Sequence, residues 1–151
     1  MQIDKLNWAI LAELQKDARM AVKDIAKTVG LSSPAVSERI QKLEDLGIIE
    51  GYAAKINIEG LGYPLGVIIS IKIRYGQTQN FMEFVNTVPE IFECHQLTGR
   101  DCMQMKGYVK NPSHLQNLNS RLSAYGEMTT SLVLSSVISN KVLDGEMPFP
   151  G

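Results

Sequence analysis

The sequence predicts an α+β chain in two parts. A helix-turn-helix is expected over residues 1–56 and a ferredoxin-like βαββαβ unit over residues 67–140. Three observations carry this. Apolar residues recur at helical spacing as far as Leu46. From Val67 the period shortens to the alternation of strands. Between them Glu59-Gly60-Leu61-Gly62-Tyr63-Pro64, with two glycines and a proline, marks a linker over 57–66. Residues 141–151, with two prolines, read as a loose tail.

Three helices account for the first part. Leu6, Ile10 and Leu14 stand at i, i+4 and i+8, with Ile3 leading in. Val22, Ile25, Ala26 and Val29 make a second stripe, closed by Gly30 as a left-handed cap. The third helix takes Ser32 or Ser33 as N-cap and Pro34 in its first turn. Its buried stripe is Val36, Ile40, Leu43 and Leu46, and Gly47 stops it. Ile48 to Asn57 reads as extended.

In the second part Val67–Tyr75 is a strand, and Phe81, Phe84, Val85 and Val88 mark a short helix. Two strands, 91–97 and 102–109, are joined by Thr98-Gly99-Arg100-Asp101, with Leu97 opposite Cys102. Leu115, Leu118, Leu122 and Tyr125 mark a second helix, and Met128–Ile138 a last strand. Strands one and four carry apolar residues on both faces, Ile68 against Val67 and Ile69, and Val133 and Val137 against Leu132 and Leu134. Two helices cover one face of a four-stranded sheet, so the other calls for a second subunit.

The tight turn Val29-Gly30-Leu31-Ser32-Ser33-Pro34 between two amphipathic helices has the geometry that lets the third helix enter a DNA major groove. At roughly 100° per residue, the face opposite Val36, Ile40 and Leu43 carries Pro34, Glu38, Gln41 and Asp45. Ser33, Ser37 and Lys42 flank it. Arg39 lies nearer the buried stripe, fit for a phosphate or an internal salt bridge. Charge argues against nucleic acid: the chain has net charge −1, and over residues 1–56 the basic and acidic side chains cancel. A solvated face on an ordinary bundle is the bland alternative.

Other chemistries find little footing. With 44% hydrophobic and 21% charged residues the chain is globular in composition. No apolar run reaches the roughly 18–20 residues of a membrane span, and Asp4 and Lys5 break any signal-peptide pattern, so the cytoplasm is expected. Cys94 and Cys102 would lie about 10 Å apart on the hairpin, too far for a disulfide or a shared ion, and no metal or other cofactor is expected. Catalysis would have to use His95 or His114 without any phosphate loop or nucleophile elbow, so no enzyme is expected. Met103 and Met105 fit core packing better than an effector pocket.

The segments Ile10–Arg19, Ile25-Ala26, Val29–Ser32 and Val36–Glu44 with Gly47-Ile48-Ile49 closely resemble the leucine-responsive/asparagine regulator (Lrp/AsnC) family, and Glu93-Cys94-His95 and Thr98-Gly99 resemble its second half. The resemblance implies a transcriptional regulator that binds double-stranded DNA through Ser32, Ser33, Pro34, Ser37, Glu38, Arg39, Gln41 and Lys42. It implies that the helix-turn-helix is winged, that the chain assembles into dimers and octamers of four dimers, and that a small-molecule effector, usually an amino acid, binds between dimers. That site would use Thr98, Gly99, Arg100, Asp101 and Cys102 with Met128, Thr130 and Ser136. Many members carry an acid where this chain has Cys102; either Asp101 takes its place against an effector's ammonium, or the chain binds a different ligand or none. A ligand-independent architectural DNA-binding protein and a metabolite-binding module without a DNA role remain the alternatives.

Overall fold

The structure is a computed structural model that describes residues 3–99 and 102–145. Its contacts divide into one unit of residues up to Lys55 together with the chain from Ile138, and a second of Ile56–Val137.

In the first unit three helices, α1 (Lys5–Lys16), α2 (Val22–Val29) and α3 (Ser33–Asp45), enclose Ile10, Ile25, Ala26 and Val36. Leu14, Val22, Val29, Leu31 and Ile40 pack around that centre, so the expected stripes point inward. Leu46 does not follow its stripe. It caps α3, one residue past the helix's last, and is half exposed. Gly30 ends α2 with φ 73°, a conformation that costs a residue with a Cβ and not glycine. Ser32 caps α3 and accepts from the Ala35 amide at 3.3 Å. The expected wing is absent as a strand: residues 48–57 belong to no sheet among the described residues, and an extended segment forms a strand only when a neighbour takes its amides. The tail is held at one point, where Leu143 and the Gln15 amide exchange hydrogen bonds at 2.7 and 2.9 Å.

In the second unit the order is β1 (Leu65–Ile73), α4 (Thr78–Val85), β2 (Ile91–Gln96), β3 (Met103–Val109), α5 (Pro112–Leu122) and β4 (Gly126–Leu132). The sheet runs β2-β3-β1-β4, antiparallel throughout, which is the ferredoxin-like arrangement. A 3₁₀ turn at Glu59–Leu61 interrupts the expected linker, and β1 starts two residues before Val67. Val67, Ile69 and Ile71 from β1 and Met103 and Met105 from β3 meet Phe81, Leu118 and Leu122 in the core, so the two methionines are packing residues.

Two expectations need correction. The last strand ends at Leu132; Leu134, Val137 and Ile138 lie outside the sheet and are exposed. The open face of the sheet is therefore more polar than the sequence suggests, with Ser70, Lys72, Gln104, Lys106, Thr129 and Ser131 along it. Its apolar side chains gather at one end: Ile68, Phe92, Tyr108 and Val133. A bulge between Ile91 and Glu93 turns Phe92 to this face, where its ring meets Tyr108 edge-on at 5.6 Å.

Candidate functional site

The α3 surface is the first candidate. Helix periodicity puts Val36 and Leu43 wholly inside, and this rotates Ser32, Pro34, Ser37, Glu38, Gln41 and Lys42 to the outside, with Ser33 half-buried at the helix start. Local bonds already use some of them. Ser32 is spent on the cap, and the Gln41 amide donates to Asp45 at 2.9 Å, a contact it must give up to reach a base. Tyr52 donates to Glu44 at 2.8 Å, and burial followed by that carboxylate holds the phenol above its ordinary pKa. Arg39 sits apart from the exposed group. Its Nη1 donates to Asp4 at 2.7 Å and to Asn7 at 2.8 Å, both on the first turn of α1. Asp4 also caps α1, accepting from the Asn7 amide at 2.7 Å; that bond and then Arg39 hold its carboxyl below the usual range. Asp4 and Asn7 escaped the sequence reading, although an Asp immediately before a helical run is an N-cap signal.

The effector end is less assembled. Gly99 has φ 112° in the exposed turn, the Leu97 amide donates to the Cys102 carbonyl at 2.9 Å, and Arg100 and Asp101 lie outside the described residues. Cys102 is half-buried against β1, where Sγ accepts from the Ile73 amide at 3.0 Å. Met103 on β3 and Met128 on β4 both pair with Ile71, so turn and last strand share one end of the sheet with β1 between them. Two strand spacings make that about 10 Å. Met128 and Thr130 line a shallow cleft against α5 rather than against the turn, and the Thr130 hydroxyl donates to Asn119 at 2.9 Å. Ser136 lies beyond the strand and is exposed.

A polar cluster that periodicity did not foretell lies at the opposite end of the sheet. Glu90, just before β2, is buried and accepts from His114 at 2.8 Å and from Arg121, both on α5. Burial pushes the Glu90 carboxyl up, but these two partners outweigh it and hold it below its ordinary value. His114 also accepts from the Lys110 amide at 3.2 Å, so its other nitrogen is the donor to Glu90 when the ring is neutral.

The chain's relatives match both units. Residues 3–44 match the AsnC-type helix-turn-helix domain and residues 66–143 the Lrp/AsnC ligand binding domain. The transcriptional regulator LrpC of Bacillus subtilis is 26% identical over 137 residues, covering 91% of this chain and 95% of that one. The leucine-responsive regulatory protein of Haemophilus influenzae is 33% identical over 142 residues, covering 89% and 86%. Among solved structures, Bacillus subtilis LrpC superposes with TM-score 0.87 at 26% identity over 92% of this chain and 99% of that one. A transcriptional regulator from Neisseria meningitidis, solved as its L-Met complex, gives 0.85 at 26% identity over 96% and 97%. The relatives are regulators and not enzymes. A helix-turn-helix matched over residues 3–44, followed by a four-stranded α+β domain matched over residues 66–143, makes this chain a member of the Lrp/AsnC family of DNA-binding transcriptional regulators.

Proposed function

We propose that the chain recognises specific duplex DNA with the outward face of α3, works as an assembly of identical copies in the cytoplasm, and changes its assembly or its DNA binding when a small amino acid binds the second unit. The observation that carries the DNA reading is the exposed row Pro34, Ser37, Glu38, Gln41 and Lys42 on a helix whose other side is sealed by Val36 and Leu43. Side chains of these types match base edges and phosphates.

Assembly is supported by the apolar end of the open sheet face. Ile68, Phe92, Tyr108 and Val133 adjoin a cleft of about 740 Å³ bordered by Ile56, Ile58, Leu61 and Tyr63. An exposed apolar cluster of this kind, edged by Lys110 and His114, is best covered by its own copy in a two-fold dimer. The amino-acid reading draws support from the ligand-binding domain match and from the L-Met bound by the Neisseria meningitidis regulator.

The test is selection of duplexes from a random library by the full chain, followed by competition against scrambled duplex. Equal affinity for every sequence would refute specific reading and mark an architectural binder instead. A panel of the common amino acids at millimolar concentration should include one that raises the melting temperature or shifts the oligomer distribution. A panel in which neither moves refutes the effector reading.

A further inference from the structure

We propose that Asp4, Asn7 and Arg39 form a latch that sets the seat of α3 on α1, which makes Arg39 a positioning residue for DNA recognition and not a phosphate contact. The inference rests on the reading of α3 as the DNA-facing helix.

One guanidinium nitrogen spans two helices by meeting two acceptors, Asp4 Oδ2 at 2.7 Å and Asn7 Oδ1 at 2.8 Å. Both acceptors are fixed from behind. Asp4 is held in its rotamer because its other oxygen caps α1. Asn7 is 7% exposed, and a buried amide oxygen needs a donor. An exposed ion pair does little by itself, but this one closes a network of three groups, and networks are where geometry is specified. Both hydrogens of Nη1 are spent on Asp4 and Asn7, which tethers the guanidinium to α1 and leaves its remaining N–H groups held at that fixed place. Lys42 is the α3 cation without an ion-pair partner among the described residues. Arg39 lies roughly 200° round α3 from Gln41, and the latch borders one cleft with Ala35, Glu38 and Lys42, so a shift of its seat moves the outward face of the helix.

Full-length wild type and variants are titrated by fluorescence anisotropy against a duplex that wild type selects from a random library, and against its scrambled version, over a range of salt. Arg39→Gln and Asp4→Asn are the variants; asparagine caps a helix as well as aspartate, so the second keeps α1 intact. Each should lower the preference for the selected duplex roughly fivefold or more, the scale of one weakened base contact. Neither should change the slope of affinity with salt, and the double variant should be no worse than Arg39→Gln alone. A slope flatter by about 0.9 per DNA-binding head in Arg39→Gln would make Arg39 a phosphate contact and overturn the proposal. Unchanged preference in Asp4→Asn at a preserved melting temperature overturns it as well, even where Arg39→Gln fails to fold. Gln41→Ala separates the two readings. If it keeps full preference, α3 is not the reader and the latch has nothing to position. If it loses preference while Asp4→Asn does not, only the latch is wrong.

Discussion

Replacing Glu90 by Gln removes one charge from the buried cluster on α5 and preserves its shape. Glu90 Oε1 accepts from His114 and Arg121, while Oε2 is buried with no partner among the described residues. The amide turns two hydrogen bonds to a charged acceptor into bonds to a neutral one, a loss of about 1 kcal/mol each. Its NH₂ group also has to stand where no acceptor is found. Arg121 keeps about a third of its side chain in water, which softens the loss. The expected net cost is about 2 kcal/mol, or roughly 1 M of urea at the midpoint. The measurement is a urea titration of the full chain at fixed protein concentration, because assembly makes apparent stability depend on concentration. The pH dependence gives an independent check. The folded carboxyl is held below its ordinary 4.5, so below that value the unfolded chain binds the proton more readily. The cluster's contribution is thus complete above that pH and is lost as pH falls through the folded value. Wild type should lose stability more steeply on acidification than Glu90→Gln. A midpoint unchanged within about 0.3 M, or two parallel acid limbs, would refute the reasoning.

Ser37→Ala and Gln41→Ala should each lower discrimination between the selected and a singly mismatched duplex by about 1–3 kcal/mol, measured by competition anisotropy, with the melting temperature unchanged. Phe92→Lys places a charge at the centre of the apolar sheet end beside Tyr108 and should shift the full chain to monomer in light scattering at micromolar concentration. Thr130→Val removes the hydroxyl that meets Asn119 beside Met128, and should weaken whichever amino acid shifts the melting curve at least severalfold. An unchanged affinity there would move the effector away from β4.

What was legible in the sequence was whatever periodicity encodes. The three helices, the ferredoxin-like order, the Gly30 turn and the Ser32 cap are local patterns, and they stand where the pattern puts them. What was not legible depends on partners distant in sequence. Residues 48–57 have strand composition and no strand to pair with. Leu132 to Ile138 alternates, yet β1 starts at Leu65 and offers the last strand little past Leu132: the Val133 amide still reaches the Gly66 carbonyl at 2.8 Å, and the ladder stops there. The Phe92 bulge reverses the face of one aromatic and shows in no two-residue period. The sequence leaves Arg39 open between a phosphate and an internal pair because Asp4 is 35 residues away in the chain, and only the fold brings the two together. The effector residues are a different case. They rest on resemblance, and within one chain the turn and Met128 stand at one sheet end on both sides of β1, while Ser136 lies past the other end of β4.

The neutral charge of the DNA-binding half has a measurable consequence. Over residues 1–56 the charges cancel, and Arg39 is engaged by Asp4. Lys42 on α3 and Lys23 and Lys27 on α2 are exposed cations of the helix-turn-helix. Three phosphate contacts give a slope of about −2.7 in log affinity against log salt for each head, so raising salt from roughly 50 to 200 mM should weaken binding about 40-fold per head. A head so lightly charged binds weakly alone, and useful affinity must come from several heads held on one site, where the second contact profits from the effective concentration set by the first. The salt slope of the assembled chain should therefore scale with the number of heads engaged, and in Phe92→Lys it should fall to the single-head value together with affinity. If the monomeric variant keeps the full slope, or if a single head loses more than about a thousandfold over that range, phosphate contacts made outside these three lysines dominate and the multivalent account is wrong.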